Sequence, residues 1–133
     1  HLKEALPEII LWGEASWWPK NSKMHFLRRG TGPVKKGTCY RQEVLLPFAP
    51  SWEVEVEQID DKSITRRFLN GMFGGSETVS LEPLKDGVNV SYVMNYQING
   101  FLNKILWPLL FERLHNRNIG LILMSLKSYL EKR

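Results

Sequence analysis

The chain has 133 residues, 43% of them hydrophobic and 24% charged, the balance of one ordinary globular domain with little room for a second. Its formal charge of +4 is a small excess. The basic doublets Arg28-Arg29, Lys35-Lys36 and Arg66-Arg67 are scattered among acids, and no aromatic RNA-binding signature accompanies them, so nucleic acid is not an expected partner.

Leu2 to Gly13 reads as a short helix. Glu4, Ala5 and Leu6 favour it, Pro7 is tolerable only in a first turn, Ile9, Ile10 and Trp12 give an apolar side, and Gly13 can close the end. Ser16-Trp17-Trp18-Pro19 follows as a second short turn that Pro19 ends. From Ser22 the hydrophobic period changes to two, and six strand candidates follow, each bounded by turn residues. They run over about Lys23 to Arg29, Thr38 to Leu46, Trp52 to Ile59, Ser63 to Leu69, Ser76 to Leu84 and Val88 to Ile98. Asp60-Asp61-Lys62 and Lys85-Asp86-Gly87 suit hairpin turns, which makes neighbouring strands antiparallel. Asn70 to Gly75 lacks the Lys-Ser/Thr ending of a phosphate loop and reads as a flexible bend or bulge.

Two strands indicate the dry face. Trp52, Val54 and Val56 alternate with Glu53, Glu55 and Glu57. Val88, Val90, Tyr92, Met94, Tyr96 and Ile98 alternate with Asn89, Ser91, Asn95 and Gln97, Val93 being the exception. The expected cover is Phe101 to Lys132, where Ile119, Ile122, Leu123, Leu126 and Leu130 form a helical stripe. Pro108 must kink this helix or mark a restart. At 1.5 Å per residue, a helix of ~30 residues spans ~45 Å and crosses a whole sheet. Strands followed by one long helix define an α+β class.

The order of short helix pair, antiparallel strands and long terminal helix resembles the START-like, or SRPBCC, superfamily, which includes polyketide cyclase/dehydrase-like and lipid-transfer proteins. The likeness covers nearly the whole chain. It rests on Trp17-Trp18-Pro19, on Gly37-Thr38 and on Asn70-Gly71-Met72-Phe73-Gly74-Gly75. It continues in Leu81-Glu82-Pro83-Leu84 with Asp86-Gly87-Val88, and in Leu126-Lys127-Ser128-Tyr129-Leu130-Glu131. The resemblance implies a helix-grip fold, a curved antiparallel sheet wrapped around the C-terminal helix. The family has a strand before its first helix. This chain lacks it, which leads us to expect that the native protein begins earlier.

The resemblance also implies a ligand cavity between sheet and helix. Its expected walls are Trp52, Val54, Val56, Phe68, Tyr92, Met94, Tyr96, Leu106 and Leu110, with Phe73 near an opening. The tyrosine hydroxyls on an otherwise apolar face favour a ligand over simple core filling, because a buried hydroxyl wants a partner. Either register of the fourth strand turns one arginine inward, Arg66 or Arg67, and the second strand poses the same question for Tyr40 and Arg41. Tyr40, Arg41 and Arg66 are therefore candidate polar anchors.

Catalytic signals are thin. Ser16, Ser76 and Ser80 lie in no nucleophile elbow, and His25 reads as a surface strand residue. His1, His25 and His115 show no paired metal-ligand spacing, so neither metal nor cofactor is expected. The lone Cys39 cannot form an internal disulfide, which suits a reducing, cytoplasmic setting. No stretch approaches the ~20 apolar residues of a membrane span. Phe101 to Phe111 is unusually apolar. Leu102, Ile105, Leu106, Leu109 and Leu110 are expected to face the core, with Trp107, Phe111 and Phe101 turned partly elsewhere. The segment reads either as a helix buried on two sides or covering a cavity mouth, or as a surface for transient membrane or partner contact. Three functions are carried forward: binding or transport of a small hydrophobic molecule, a cyclase/dehydrase-like enzyme, and a non-catalytic interaction module.

Overall fold

The computed structural model describes residues 2–19, 21–45, 51–71 and 73–132, without the side chains of Asn70, Gly71 and Leu110. The expected strand end at Leu46-Pro47 lies outside the described residues.

Helix α1, Leu2–Ile10, buries Ala5 and Ile9, one turn apart on a single face. Pro7 stands inside it, beyond the first turn where such a residue was expected. Trp12 follows, buried, and meets Trp17 and Trp18 edge-on at 5.9 and 5.4 Å. Gly13 turns the chain here with φ 88°. A Cβ at that position would lie 2.5 Å from Cβ of Phe26, so both the backbone sign and the close packing require glycine.

Six antiparallel strands follow in sequence order as one curved sheet: β1 Met24–Arg29, β2 Cys39–Val44, β3 Ser51–Ile59, β4 Ser63–Gly71, β5 Phe73–Leu84 and β6 Gly87–Ile98. Each expected strand is present, with ends shifted by a few residues. Phe73 to Gly75, read from sequence as part of a bend, belongs to β5. Within β5, Gly75 has a φ of 100°. Two register shifts between β3 and β4 supply curvature, because an extra residue on one strand bends it: Leu69 of β4 opposite Glu53/Val54, and Glu57 of β3 between Val56 and Gln58. Pro83 is tolerated in β5 because the β5–β6 hairpin outruns β4 there; the β4–β5 ladder ends at Ser63↔Ser80.

The outer face is charged. Glu55 pairs with its cross-strand neighbour Arg67 at 3.6 Å, Arg41 with Glu43 at 2.7 Å, and Glu53 with Arg29. Such exposed pairs contribute little stability each, but they fix this side of the sheet as the wet one.

The C-terminal segment runs as α2 Phe101–Leu106, a π turn Trp107–Phe111, and α3 Glu112–Glu131. Pro108 neither breaks nor restarts it. The wider turn absorbs the proline, and the Glu112 amide donates back to the Trp107 carbonyl. Helix α3 lies against the concave face, burying Ile119, Ile122 and Leu126. Asn118 Oδ1 accepts the Lys23 amide at 3.2 Å, and the Ser125 hydroxyl donates to the Trp17 carbonyl. The expected orientation of the preceding turns is reversed for Trp107 and the aliphatic residues, while Phe101, 80% exposed, faces out as expected. Trp107 is 1% exposed, whereas Leu102, Ile105 and Leu109 are 67%, 42% and 72% exposed. Packing one indole between sheet and α3 leaves the leucine side facing out. Among the described residues, no helix is long and apolar enough to cross a membrane.

Candidate functional site

Alternation puts Tyr40 and Gln42 of β2, Trp52 of β3, Arg66 of β4, Glu77 of β5 and Tyr92 of β6 on the concave face. Arg66 and Glu77 are direct cross-strand neighbours. Glu77 accepts from Gln42 Nε2 at 2.6 Å through one carboxylate oxygen and from the Tyr92 hydroxyl through the other. Gln42 Oε1 in turn accepts the Trp52 indole N–H at 2.8 Å. A buried polar chain thus ties four strands together.

Arg66 is fully buried, and its three nitrogens make no hydrogen bond among the described residues. Its guanidinium rests on the rings of Phe26 and Tyr40, 4.9 and 5.2 Å from their centroids. Burial pulls the Arg66 pKa below its usual value, against the opposing charge of Glu77. Burial likewise pushes the Glu77 carboxyl up, against Arg66 and the two donors. The Tyr92 hydroxyl is raised well above 10, first by burial and then by the Glu77 charge, so it remains a protonated donor.

A pocket of about 310 Å³ opens next to this chain, between β6 and α3. Tyr92, Met94 and Tyr96 form its sheet side, Trp107, His115 and Ile119 its helix side, and Glu112 and Asn116 complete the lining. His115 is 3% exposed, and neither ring nitrogen has a hydrogen-bond partner among the described residues. Aromatic rings surround it, with centroids of Trp107, Trp52 and Tyr92 at 5.4, 6.0 and 6.2 Å. Burial lowers its pKa to about 4, so the imidazole is neutral at pH 7 and offers one donor and one acceptor. Tyr96 accepts from the Trp107 indole at 3.2 Å and keeps its own proton to give.

A larger groove of about 620 Å³ lies elsewhere, between α1, the β5–β6 hairpin end and the C-terminal half of α3. Its lining mixes Leu84, Val88, Met124 and Leu130 with Glu4, Asp86 and Lys127, and carries no buried polar side chain without a partner among the described residues. Shape alone favours this groove. Chemistry favours the smaller pocket, because polar groups stripped of water need partners.

Of the expected wall residues, Tyr92, Met94 and Tyr96 line the pocket. Trp52, Val54, Val56 and Phe68 are packed into the core behind it. Phe73 stands at no opening; it is 1% exposed and meets Trp52 and Trp107 edge-on, each at 4.8 Å. Leu106 is half-buried outside the pocket lining, and the Leu110 side chain lies outside the described residues. Tyr40 and Arg66 point inward, whereas Arg41 is on the outer face with Glu43. Glu77, His115 and the inward Trp107 were not singled out from sequence. Among the described residues, no cluster of three or more His, Cys, Asp or Glu side chains could hold a metal ion. No family model, curated protein or solved structure matches the chain.

Proposed function

We propose that the chain is a START-like, helix-grip binder of a small, largely apolar molecule, held between β6 and α3. The observation that carries this reading is His115, an aromatic-walled imidazole in the pocket lining whose two nitrogens have no partner among the described residues. Both nitrogens are buried behind the pocket wall, so a small turn of the ring would present one to a ligand hydroxyl or carbonyl, while Met94, Ile119 and Trp107 take the apolar body. The aromatic core fills the space where an enclosed cavity was expected, so the proposed seat is the open pocket between β6 and α3.

Binding is favoured over cyclase-like acid–base catalysis on chemical grounds. An imidazole with a pKa of about 4 is a weak base at pH 7. Both oxygens of Glu77 are already engaged, and Tyr92 holds its proton tightly.

Native mass spectrometry of the chain purified without denaturation tests the reading. A co-purifying small molecule is expected, and it should be lost in Ile119→Trp, which fills the pocket. A ligand retained by that folded variant would place binding elsewhere and overturn the assignment.

A further inference from the structure

The turns before α3 bury the wrong side for a core helix. Phe101, Leu102, Ile105 and Leu109 are 80%, 67%, 42% and 72% exposed, whereas Trp107 is 1% exposed. At ~100° per residue, Trp107 lies roughly opposite Phe101, Leu102 and Ile105. One indole anchors the segment, and its apolar stripe is aimed away from the protein. A contiguous exposed stripe of this size marks a surface that something covers.

The charge around it identifies the cover. Lys104 is the only charged residue from Phe101 to Phe111, and the next exposed charges along the chain are Arg113 and Arg117. Glu112 is half-buried at the pocket. The exposed charges that flank the stripe along the chain are therefore cationic. A second copy docked by two-fold symmetry would set these cations against one another. An anionic bilayer attracts them and accepts the apolar side chains ~5–10 Å deep. We propose that Phe101, Leu102, Ile105 and Leu109 insert into the headgroup boundary of an anionic membrane, with Lys104, Arg113 and Arg117 on lipid phosphates. This surface stands independently of the ligand pocket.

Sedimentation with vesicles of phosphatidylcholine, with and without phosphatidylglycerol, tests it on the full chain. Binding should require the anionic lipid. Leu102→Glu with Leu109→Glu should weaken it by at least ~10-fold. Lys104→Glu with Arg113→Glu should weaken it by at least ~5-fold for each charge, on anionic vesicles only. All four positions are exposed, so far-UV circular dichroism should match the parent. Leu27, 48% exposed on the outer face of β1 beside Arg41, serves as the control, and Leu27→Glu should bind like the parent. The proposal fails if the parent does not bind, if Leu27→Glu loses binding equally, or if ultracentrifugation shows self-association that Leu102→Glu/Leu109→Glu abolishes.

Discussion

Lowering the pH should destabilise this fold through His115 by an amount that can be isolated. The imidazole titrates at 6.5 when solvated and at about 4 in the folded chain, because burial penalises its charged form. Between those values the unfolded chain binds the extra proton and the folded chain does not. Stability is therefore complete above about pH 6.5 and declines as pH falls towards 4. The gap corresponds to roughly 3 kcal/mol at ~1.36 kcal/mol per pH unit. Glu77 works with the opposite sign: its raised pKa means that protonation relieves the cost of burial as pH falls. Urea denaturation of the parent and of His115→Gln from pH 7.5 to 4.5 separates the two, since Glu77 is common to both. The parent should lose roughly 2–3 kcal/mol more than the variant over that range. Parallel curves, or a His115 ring proton that titrates near 6.5, would refute the burial argument.

Three further outcomes follow from the packing. Arg66→Met leaves the Glu77 carboxylate buried without its counter-charge and should cost about 3–5 kcal/mol; Arg66→Met with Glu77→Met should cost less than the sum of the two singles, measured by urea unfolding. Gly75→Ala should destabilise by about 2 kcal/mol or more, because the new Cβ would lie 2.1 Å from the Asn95 carbonyl oxygen at a φ of +100°, whereas Gly74→Ala, with nothing within 4 Å, should be within about 0.5 kcal/mol of neutral. Trp107→Ala should cost about 3–5 kcal/mol and lower the thermal midpoint sharply, while Leu109→Ala should leave it unchanged within about 1 °C.

Much of the fold was legible because its signals are local. Alternation in Trp52 to Glu57 and Val88 to Ile98, with short polar turns between strands, places the sheet and its dry face before any coordinate is known. The pocket residues Tyr92, Met94 and Tyr96 come from that same alternation. Glu77 escaped because Ser76 to Thr78 is polar at successive positions and so on both faces. Counting back by twos from the inward Val79 and Leu81 would have turned it inward. His115 escaped for a related reason. The stripe Ile119, Ile122 and Leu126, extended one turn toward the N-terminus, lands on it, but a histidine does not register as a core residue in a hydrophobic scan. The reversed face of Phe101 to Leu109 was not accessible to periodicity. Asn103 and Lys104, one turn before Trp107, mark its side as the polar one, and the choice of Trp107 as anchor depends on the aromatic hole formed by Trp52, Phe73 and Tyr96.

The assignment of the ligand seat is most directly tested by NMR titration with 2-naphthol, a neutral planar probe that both donates and accepts a hydrogen bond. Saturable shifts should appear at the Tyr92, Met94, Trp107 and His115 side chains. Shifts confined to Leu84, Val88 and Met124, in the larger groove, would contradict the account.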